Sequence, residues 1–514
     1  MLVKTTGASL YGMDAIGIQV EVNVSMGQGY CIVGLPDTAV KESLHRTEIA
    51  IKANGFQMPR TKLVINLAPA DIKKTGPAFD LPIAIGILAA SDQIANSPVL
   101  TKYLMMGELS LNGAIQPIKG VLAMAIYAKE AGLDGLIIPK INGPEASLIE
   151  GLKVFAFDHL LEVTNFCNHP ESCEPFQQNE QSNTPKPALH QVDFAFIKGQ
   201  FQAKRAIEIA ASGGHNLIMV GPPGAGKTML AKTSISILPS MNQIETLETS
   251  KVYSLMGKLP AKSGLMHTRP FRNPHHSLSA IALVGGGSIP QPGEISMAHN
   301  GVLFLDELPE FSRATIEILR QPMEAGYVSI SRSRQTVEFP SRFMLFASMN
   351  PCPCGYFNHP QKACTCSPSS VRKYLHKISG PLLDRIDLQI EVVPVSYEEL
   401  TNPTRIENSK TISNRVIKAR SIQMHRFKHR PNINTNAQMQ SQDLKEWAQL
   451  DAESAKLLKV AMVQFHLSAR AYDRIIKVAR TIADLDGVKD IQNQHISESL
   501  QYRILDRAGW GQSY

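Results

Sequence analysis

Eight consecutive residues, Gly221-Pro222-Pro223-Gly224-Ala225-Gly226-Lys227-Thr228, fit the pattern G-x-x-x-x-G-K-[ST]. In such a loop, backbone N–H groups wrap the phosphates of a nucleoside triphosphate such as ATP. The lysine reaches the β and γ oxygens, and the hydroxyl of Thr228 meets Mg²⁺. The flanks suit that chemistry. Leu217–Val220 is an apolar run predicted to be a buried strand, and Met229 onward predicts a helix whose N-terminus faces the anion. About 80 residues further on, Gly301-Val-Leu-Phe-Leu-Asp-Glu307 predicts a second buried strand ending in two carboxylates. At its C-terminal edge Asp306 would hold Mg²⁺, directly or through water, and Glu307 would orient and polarise the attacking water. A third predicted strand, Phe343–Ala347, ends near Asn350. That side chain is placed to touch the γ-phosphate or the lytic water, although Asn followed by Pro351 also reads as an ordinary turn.

A second constellation follows Asn350 at once. Cys352, Cys354, Cys364 and Cys366 form C-x-C-x₉-C-x-C, four of the seven cysteines of the chain within fifteen residues. Four thiolates would close a tetrahedral structural zinc site and leave no position open for catalysis. The C-x-C spacing is tighter than usual for zinc, His359 is an alternative ligand, and reduced uncoordinated thiols are the competing reading. Cys167, His169 and Cys173 lack a nearby fourth ligand and read as incidental.

These residues sit in a chain of 514, with 43% hydrophobic and 19% charged residues and a net charge of +7. That length calls for two to four domains, and the composition is globular. The modest positive charge allows a polyanionic partner without requiring one. The longest apolar stretch, Leu81–Ala90, is too short to span a bilayer and contains Pro82. No secretory signal is apparent, so the cysteines are expected to be reduced in the cytoplasm. The expected division is an N-terminal domain over 1–165, a polar linker over 166–190, an ATPase core over 191–395 and a helical lid over 396–514. Ile18–Val24 and Lys62–Leu67 predict strands in the first domain, and Thr38–Asn54, Leu81–Ser91 and Val121–Ala131 predict helices, an α+β or α/β pattern.

With the phosphate loop, Leu305-Asp306-Glu307 and Asn350, the chain resembles the AAA+ ATPases of the magnesium-chelatase-like group, and within it the ComM/YifB family. The likeness is carried by Gly213–Asn216, Arg269-Pro-Phe-Arg-Asn-Pro-His-His276, Ala282–Gly287, Pro292–Ile295, Met349–Gly355 and Ser379–Asp387, and runs over nearly the full length. It implies an α/β P-loop core with a helical lid, and a homo-oligomeric, hexameric DNA motor. Such a motor, driven by ATP and Mg²⁺, would promote branch migration in recombination and natural transformation, with a recombinase as a further partner. It also implies roles for two arginines. Arg385 matches an arginine finger supplied to a neighbouring subunit's ATP, the other reading being a salt bridge with Asp384 or Asp387. Arg470 resembles a lid arginine that reports the γ-phosphate, with Arg474 and Arg480 close by. An ATPase subunit of a metal chelatase is the alternative function, although the chain lacks an Asp-x-Ser-x-Ser metal-adhesion motif.

Residues 1–165 resemble the S5-like domain of Lon-type proteases through Gly76-Pro77-Ala78, Gly107–Gly113 and Pro117–Gly120. Ala78 and Leu122 stand where a serine nucleophile and a lysine base would be needed, so proteolysis is not expected. Arg60, Lys62, Lys73 and Lys74 read either as a basic patch or as plain surface. Two insertions are candidate DNA-contacting loops. One spans Phe271–Gly293. The other, Tyr327–Phe339, predicts a hairpin with Arg332 and Arg334 at its tip, on one side of the strand, to meet phosphates or simply water. The basic run Arg415–Arg430 is read either as a DNA contact or as a solvated lid face.

Overall fold

The computed structural model describes residues 1–177, 192–260, 264–287, 289–332, 335–357, 359, 361–395, 399, 401, 407–430 and 433–506. They form two compact units. One gathers the N-terminal residues with Gln243–His267 and Ser331–Phe339, and the other holds the rest.

In the first unit, β1 (Leu2–Tyr11) and β2 (Asp14–Ser25) alternate buried and more exposed residues and pair antiparallel from Leu2↔Asn23 to Tyr11↔Asp14. With β3 (Tyr30–Val33), β4 (Lys62–Ala68), β5 (Tyr103–Met105), β8 (Gly135–Pro139) and β9 (Lys153–Phe157) they make a seven-stranded sheet in the order β3-β4-β2-β1-β5-β8-β9. A small antiparallel ribbon, β6 (Glu108–Leu109) with β7 (Ile115–Gln116), stands beside it. The helix Asp80–Ala90 is apolar on every side and wholly buried, as an all-round hydrophobic helix must be. The helix Thr38–Ala53 is amphipathic and starts at Asp37, whose carboxylate accepts the Val40 N–H at 2.8 Å.

Three sequence expectations meet this unit. Phe166 and Cys167, read as the start of the linker, are fully buried in its core, and Phe176 N–H bonds Val154 O at 2.7 Å, so this end of the segment is structured. Lys74, read as part of a basic patch, is fully buried and donates to Pro69 O, which removes it from any surface. Ala78 packs on the core and Leu122 is fully buried, its N–H on Glu145 Oε1 at 2.8 Å, so neither position offers a nucleophile or base. The helix Gln243–Leu255 also belongs here. Leu247 packs on the core and Ser254 donates to Glu145.

The second unit is built on a parallel sheet of β10 (Leu217–Val220), β11 (Phe271–Arg272), β14 (Val302–Leu305), β17 (Met344–Met349) and β18 (Leu388–Glu391), ordered β11-β14-β17-β10-β18. Every residue of β10, β14 and β17 is buried, which is why these runs are apolar apart from Ser348. A side ribbon is β12 (Gly285–Gly286) with β13 (Gln291–Pro292); a further ribbon, β15 (Tyr327–Arg332) with β16 (Gln335–Pro340), has its Ser331–Phe339 part in the first unit. The hairpin expected over Tyr327–Phe339 is therefore present, with Arg332 ending β15. Arg334 lies outside the described residues.

C-terminal to the sheet the chain is helical. Ser409–Arg426, Ala452–Gln464 and Ala469–Leu485 are capped by Asn408, Asp451 and Ser468, each side chain accepting a first-turn N–H. Half of the Lys and Arg side chains in the basic run Arg415–Arg430 are drawn onto neighbouring elements. Arg415 pairs with Glu208 and Glu407, Arg420 donates to Ala211 O, Arg426 binds Asp484 at 2.8 Å, and Arg430 lies 3.7 Å from Asp443. Arg415, Arg420 and Arg426 fasten the helix Ser409–Arg426 to neighbouring elements, while Lys418, Lys428 and Arg430 stay exposed.

Candidate functional site

Ligands of open parallel sheets sit at the C-terminal strand ends. Here β10, β14 and β17 deliver Gly221–Thr228, Asp306 with Glu307, and Asn350 to that edge. The loop after β10 turns through Gly224 (φ 81°) and Gly226 (φ 87°), a left-handed backbone that side chains resist, and the helix Lys227–Thr233 begins at once. Lys227 is only 8% exposed. Its Nζ donates to Gly221 O at 2.6 Å, Pro222 O at 3.0 Å and Asn350 Oδ1 at 3.2 Å. Burial pulls its pKa down to about 8 against the opposing pull of Asp306 and Glu307.

Asp306 is the hub of the edge. Thr228 Oγ1 donates to Oδ2 at 2.7 Å, while Oδ1 accepts from the Ser348 hydroxyl and from the Glu307 N–H at 3.1 Å. Ser348 was missed by sequence reasoning. Its only signal is a hydroxyl within the apolar run of β17. Two neighbouring oxygens of a hard-cation octahedron stand about 3 Å apart. Thr228 Oγ1 and Asp306 Oδ2 therefore fit Mg²⁺, with Ser348 fixing the carboxylate from behind. Glu307 takes a left-handed backbone (φ 52°), uncommon for a non-glycine, and its side chain is 55% exposed. Asn350, one residue beyond β17, touches Lys227 and so lines the same pocket.

The two arginines are placed differently. Arg385 is 5% exposed, with Nη1 on Pro381 O at 2.5 Å and Nη2 on Glu324 Oε1 at 2.6 Å. Its ion pair is thus with Glu324, and not with either flanking aspartate. Asp387 instead ties the helix Ala469–Leu485 to the segment before β10. It is buried, takes Arg474 Nη1 at 3.0 Å and the Asn216 N–H at 2.9 Å, and faces His215 Nδ1 at 3.5 Å. Although burial disfavours its charge, Arg474, His215 and the Asn216 amide hold the carboxyl well below the usual range. Arg470 is exposed in the first turn of Ala469–Leu485, and Arg480 is buried on Asp484 and two carbonyls.

The four cysteines converge. Cys352 Sγ lies 3.3 Å from Cys354 and 3.7 Å from Cys364, Cys354 lies 3.6 Å from Cys364, and all four sulfurs fall within 4.8 Å of one another. Zinc with four sulfurs at 2.3 Å sets its edges at about 3.8 Å, so the set fits a tetrahedral Zn²⁺. His359 stands apart, its Nδ1 occupied by the N–H groups of Gln361 and Lys362, each at 3.0 Å. Between Cys354 and the rest of the loop lies Gly355 (φ 85°). A Cβ there would come 2.6 Å from Pro223 Cδ, so the cysteine segment rests directly on the phosphate loop.

Comparison with known proteins follows the same lines. Family models described as magnesium chelatase, subunit ChlI, match residues 193–400; as subunit ChlI of Mg-chelatase, residues 20–142; and as subunit ChlI C-terminal, residues 406–503. YifB of Escherichia coli, an uncharacterized protein, is 42% identical over 96% of both chains. The competence protein ComM of Haemophilus influenzae is 43% identical over 97% of this chain and 98% of its own. This chain belongs to the ComM/YifB family. A shorter likeness, 27% over 33% of this chain, is to Lon protease 2 of Bacillus subtilis, in accord with the S5-like, Lon-like reading of the N-terminal fold. Membership of the ComM/YifB family places the second unit among magnesium-chelatase-like AAA+ proteins, a class that works with ATP and Mg²⁺ and as oligomers. Among the described residues no helix is long and apolar enough to cross a membrane.

Proposed function

We propose that this protein is an ATP-hydrolysing DNA motor of the cytoplasm, assembled as a homohexamer, that drives branch migration when incoming DNA recombines, together with a recombinase. The observation that carries the ATPase half is the convergence of Lys227, Thr228, Asp306 and Asn350 through hydrogen bonds of 3.2 Å or less. The loop amides and Lys227 would hold the phosphates, Thr228 and Asp306 the Mg²⁺, and Glu307 would polarise the water. Bound Mg²⁺ supplies charge neutralisation of the β and γ oxygens. Asn350 would contact the γ-phosphate, Arg385 would enter the neighbour's site, and Arg470 would report on the nucleotide from the lid. The DNA half is supported by the near-full-length likeness to a competence protein.

In this reading 1–165 is a non-proteolytic accessory domain, 166–190 a linker, 191–395 the motor and 396–514 its lid. Arg332, which ends β15, and Arg334 would contact DNA phosphates, so binding should weaken steeply with salt and depend little on sequence. The cysteine cluster would hold one structural zinc. A chelatase-type motor acting on a tetrapyrrole-processing partner is the second reading, favoured by the descriptions of all three matching family models. The ATPase rate with and without single-stranded, duplex and branched DNA separates the two. Stimulation by DNA supports the motor, and indifference to every DNA form sinks it. Strand exchange on a three-stranded junction then reports branch migration.

A further inference from the structure

One short segment serves both the nucleotide pocket and the cysteine cluster. β17 ends at Met349, the next helix begins at Pro368, and among the described residues between them there is neither helix nor strand. Asn350 opens the segment with its Oδ1 on Lys227 Nζ at 3.2 Å, and Cys352, fully buried, follows two residues later. Cys352 O accepts the Gly355 N–H at 3.0 Å, which closes a tight turn around Cys354. Left-handed Gly355 (φ 85°) sets that turn against the pocket. A Cβ there would meet Pro223 Cδ at 2.6 Å and Asn350 Cγ at 4.0 Å. The turn that carries two of the four sulfurs therefore also backs Pro223 and Asn350. The return half of the segment is different, since Gln361–Ala363 and Thr365 are exposed and packing does little to hold them. Backbone donors support the sulfurs instead. The Phe357 N–H reaches Cys352 Sγ at 3.3 Å and the Cys366 N–H reaches Cys364 Sγ at 3.4 Å, as suits thiolates bound to a metal.

We propose that the cysteine centre and the nucleotide pocket are thermodynamically linked through Gly355: zinc on the four sulfurs raises the affinity for ATP, and ATP raises the affinity for zinc by the same factor. Without the metal, four sulfurs gathered within 4.8 Å have no bond to keep them together, and the segment from Asn350 to Ser367 loses its fixed shape. Pro223 then loses the backing of Gly355, and Asn350 its fixed place beside Lys227. Ordering this segment costs conformational entropy, and the ligand that binds first bears that cost for the second. The linkage rests on the zinc and ATP assignments above, and neither ligand need touch the other.

The test is the zinc affinity of the full wild-type chain, measured by competition with a chromogenic chelator, with and without a saturating non-hydrolysable ATP analogue and Mg²⁺. The analogue should tighten zinc binding by about 5- to 150-fold, the usual span of coupling between two sites. Wild-type protein stripped of zinc should bind the analogue more weakly by the same factor. Lys227→Ala, which lacks the nucleotide site, should show no change when the analogue is added. Pro223→Ala, which removes the ring that meets Gly355, should bind both ligands with a smaller mutual effect than the wild type. Zinc affinity indifferent to the analogue, stripped protein that binds it at full strength, a tightening that persists in Lys227→Ala, or a Pro223→Ala chain coupled as strongly as the wild type would each overturn the proposal. Wild-type protein that takes up no zinc would instead overturn the zinc assignment, and protein that binds no analogue would overturn the ATP site. Both of those failures are read separately, before any coupling is measured.

Discussion

Replacing Glu324 by glutamine should speed ATP hydrolysis in the absence of DNA. Arg385 cannot reach a neighbouring subunit while its side chain is 6% exposed and its fork is shared between Pro381 O and Glu324. It must first leave this cradle. A charge-assisted hydrogen bond of 2.6 Å is worth about 1.5–3 kcal/mol. Glu324 is 49% exposed, so solvent screening reduces that to roughly 1–1.5 kcal/mol. Glutamine keeps the acceptor and loses the charge. The released form should then rise about five- to tenfold as long as it remains the minor one, and the basal rate with it. Glu324 lies in the last turn of the helix Arg320–Ala325, and Gly326 (φ 74°) leads directly into β15 of the ribbon proposed to meet DNA. DNA that shifts this ribbon would loosen the same pair, so the stimulated rate should change little and the stimulation ratio should shrink. A coupled-enzyme ATPase assay with and without DNA measures both rates. A basal rate unchanged in Glu324→Gln, or one that falls as it does in Arg385→Ala, would refute this reasoning.

Lys227→Ala should bind no ATP, whereas Glu307→Gln should bind it, hydrolyse it slowly and accumulate as assembled rings by light scattering; a Glu307→Gln protein that stays monomeric with ATP contradicts the ring. Acid should weaken the second unit. Burial pushes the His215 pKa down, so the native state refuses a proton that the unfolded chain takes up below about pH 6.5. The groups facing it are Asp387, Arg474, Lys477 and Thr481. Its contribution is fully present above that pH and is lost on acidification at about 1.4 kcal/mol per unit, followed at lower pH by that of Asp387, whose folded pKa is also depressed. Hydrogen exchange of the β10 and β18 amides should show this slope, and His215→Asn should flatten it. Purified protein should carry about one zinc per chain, and Cys354→Ser/Cys364→Ser should carry none; less than about half a zinc in careful preparations argues against the site.

The nucleotide pocket was legible because its residues must be contiguous or strand-borne. A phosphate loop needs glycines at fixed offsets, and a buried parallel strand must be continuously apolar, so Leu217–Val220 and Val302–Leu305 stood out. The cysteine cluster was legible for the same reason of short spacing. Partners joined only by the fold were not. Nothing near Arg385 in sequence points to Glu324, 61 residues earlier, and the aspartates beside it suggested a different pair. The basic run Arg415–Arg430 looked like surface because its acidic partners, Glu208 and Asp484, come from other helices. The helix Gln243–Leu255 follows the phosphate-loop helix in sequence yet packs on the first unit, since Leu247 and Ser254 find their partners there. Lys74 looked exposed because a lone lysine is rarely fully buried, and only a carbonyl supplied by a neighbouring turn makes it so.

The central claim is that two subunits complete one hydrolytic site, Arg385 coming from one and Lys227 from the other. Mixing Arg385→Ala with Lys227→Ala protein tests it directly, since each alone should be inactive. Mixed rings place an intact arginine against an intact phosphate loop at some interfaces, so ATPase activity should reappear and depend on the mixing ratio. Two inactive proteins that stay inactive in every proportion, though shown to co-assemble, would contradict the account.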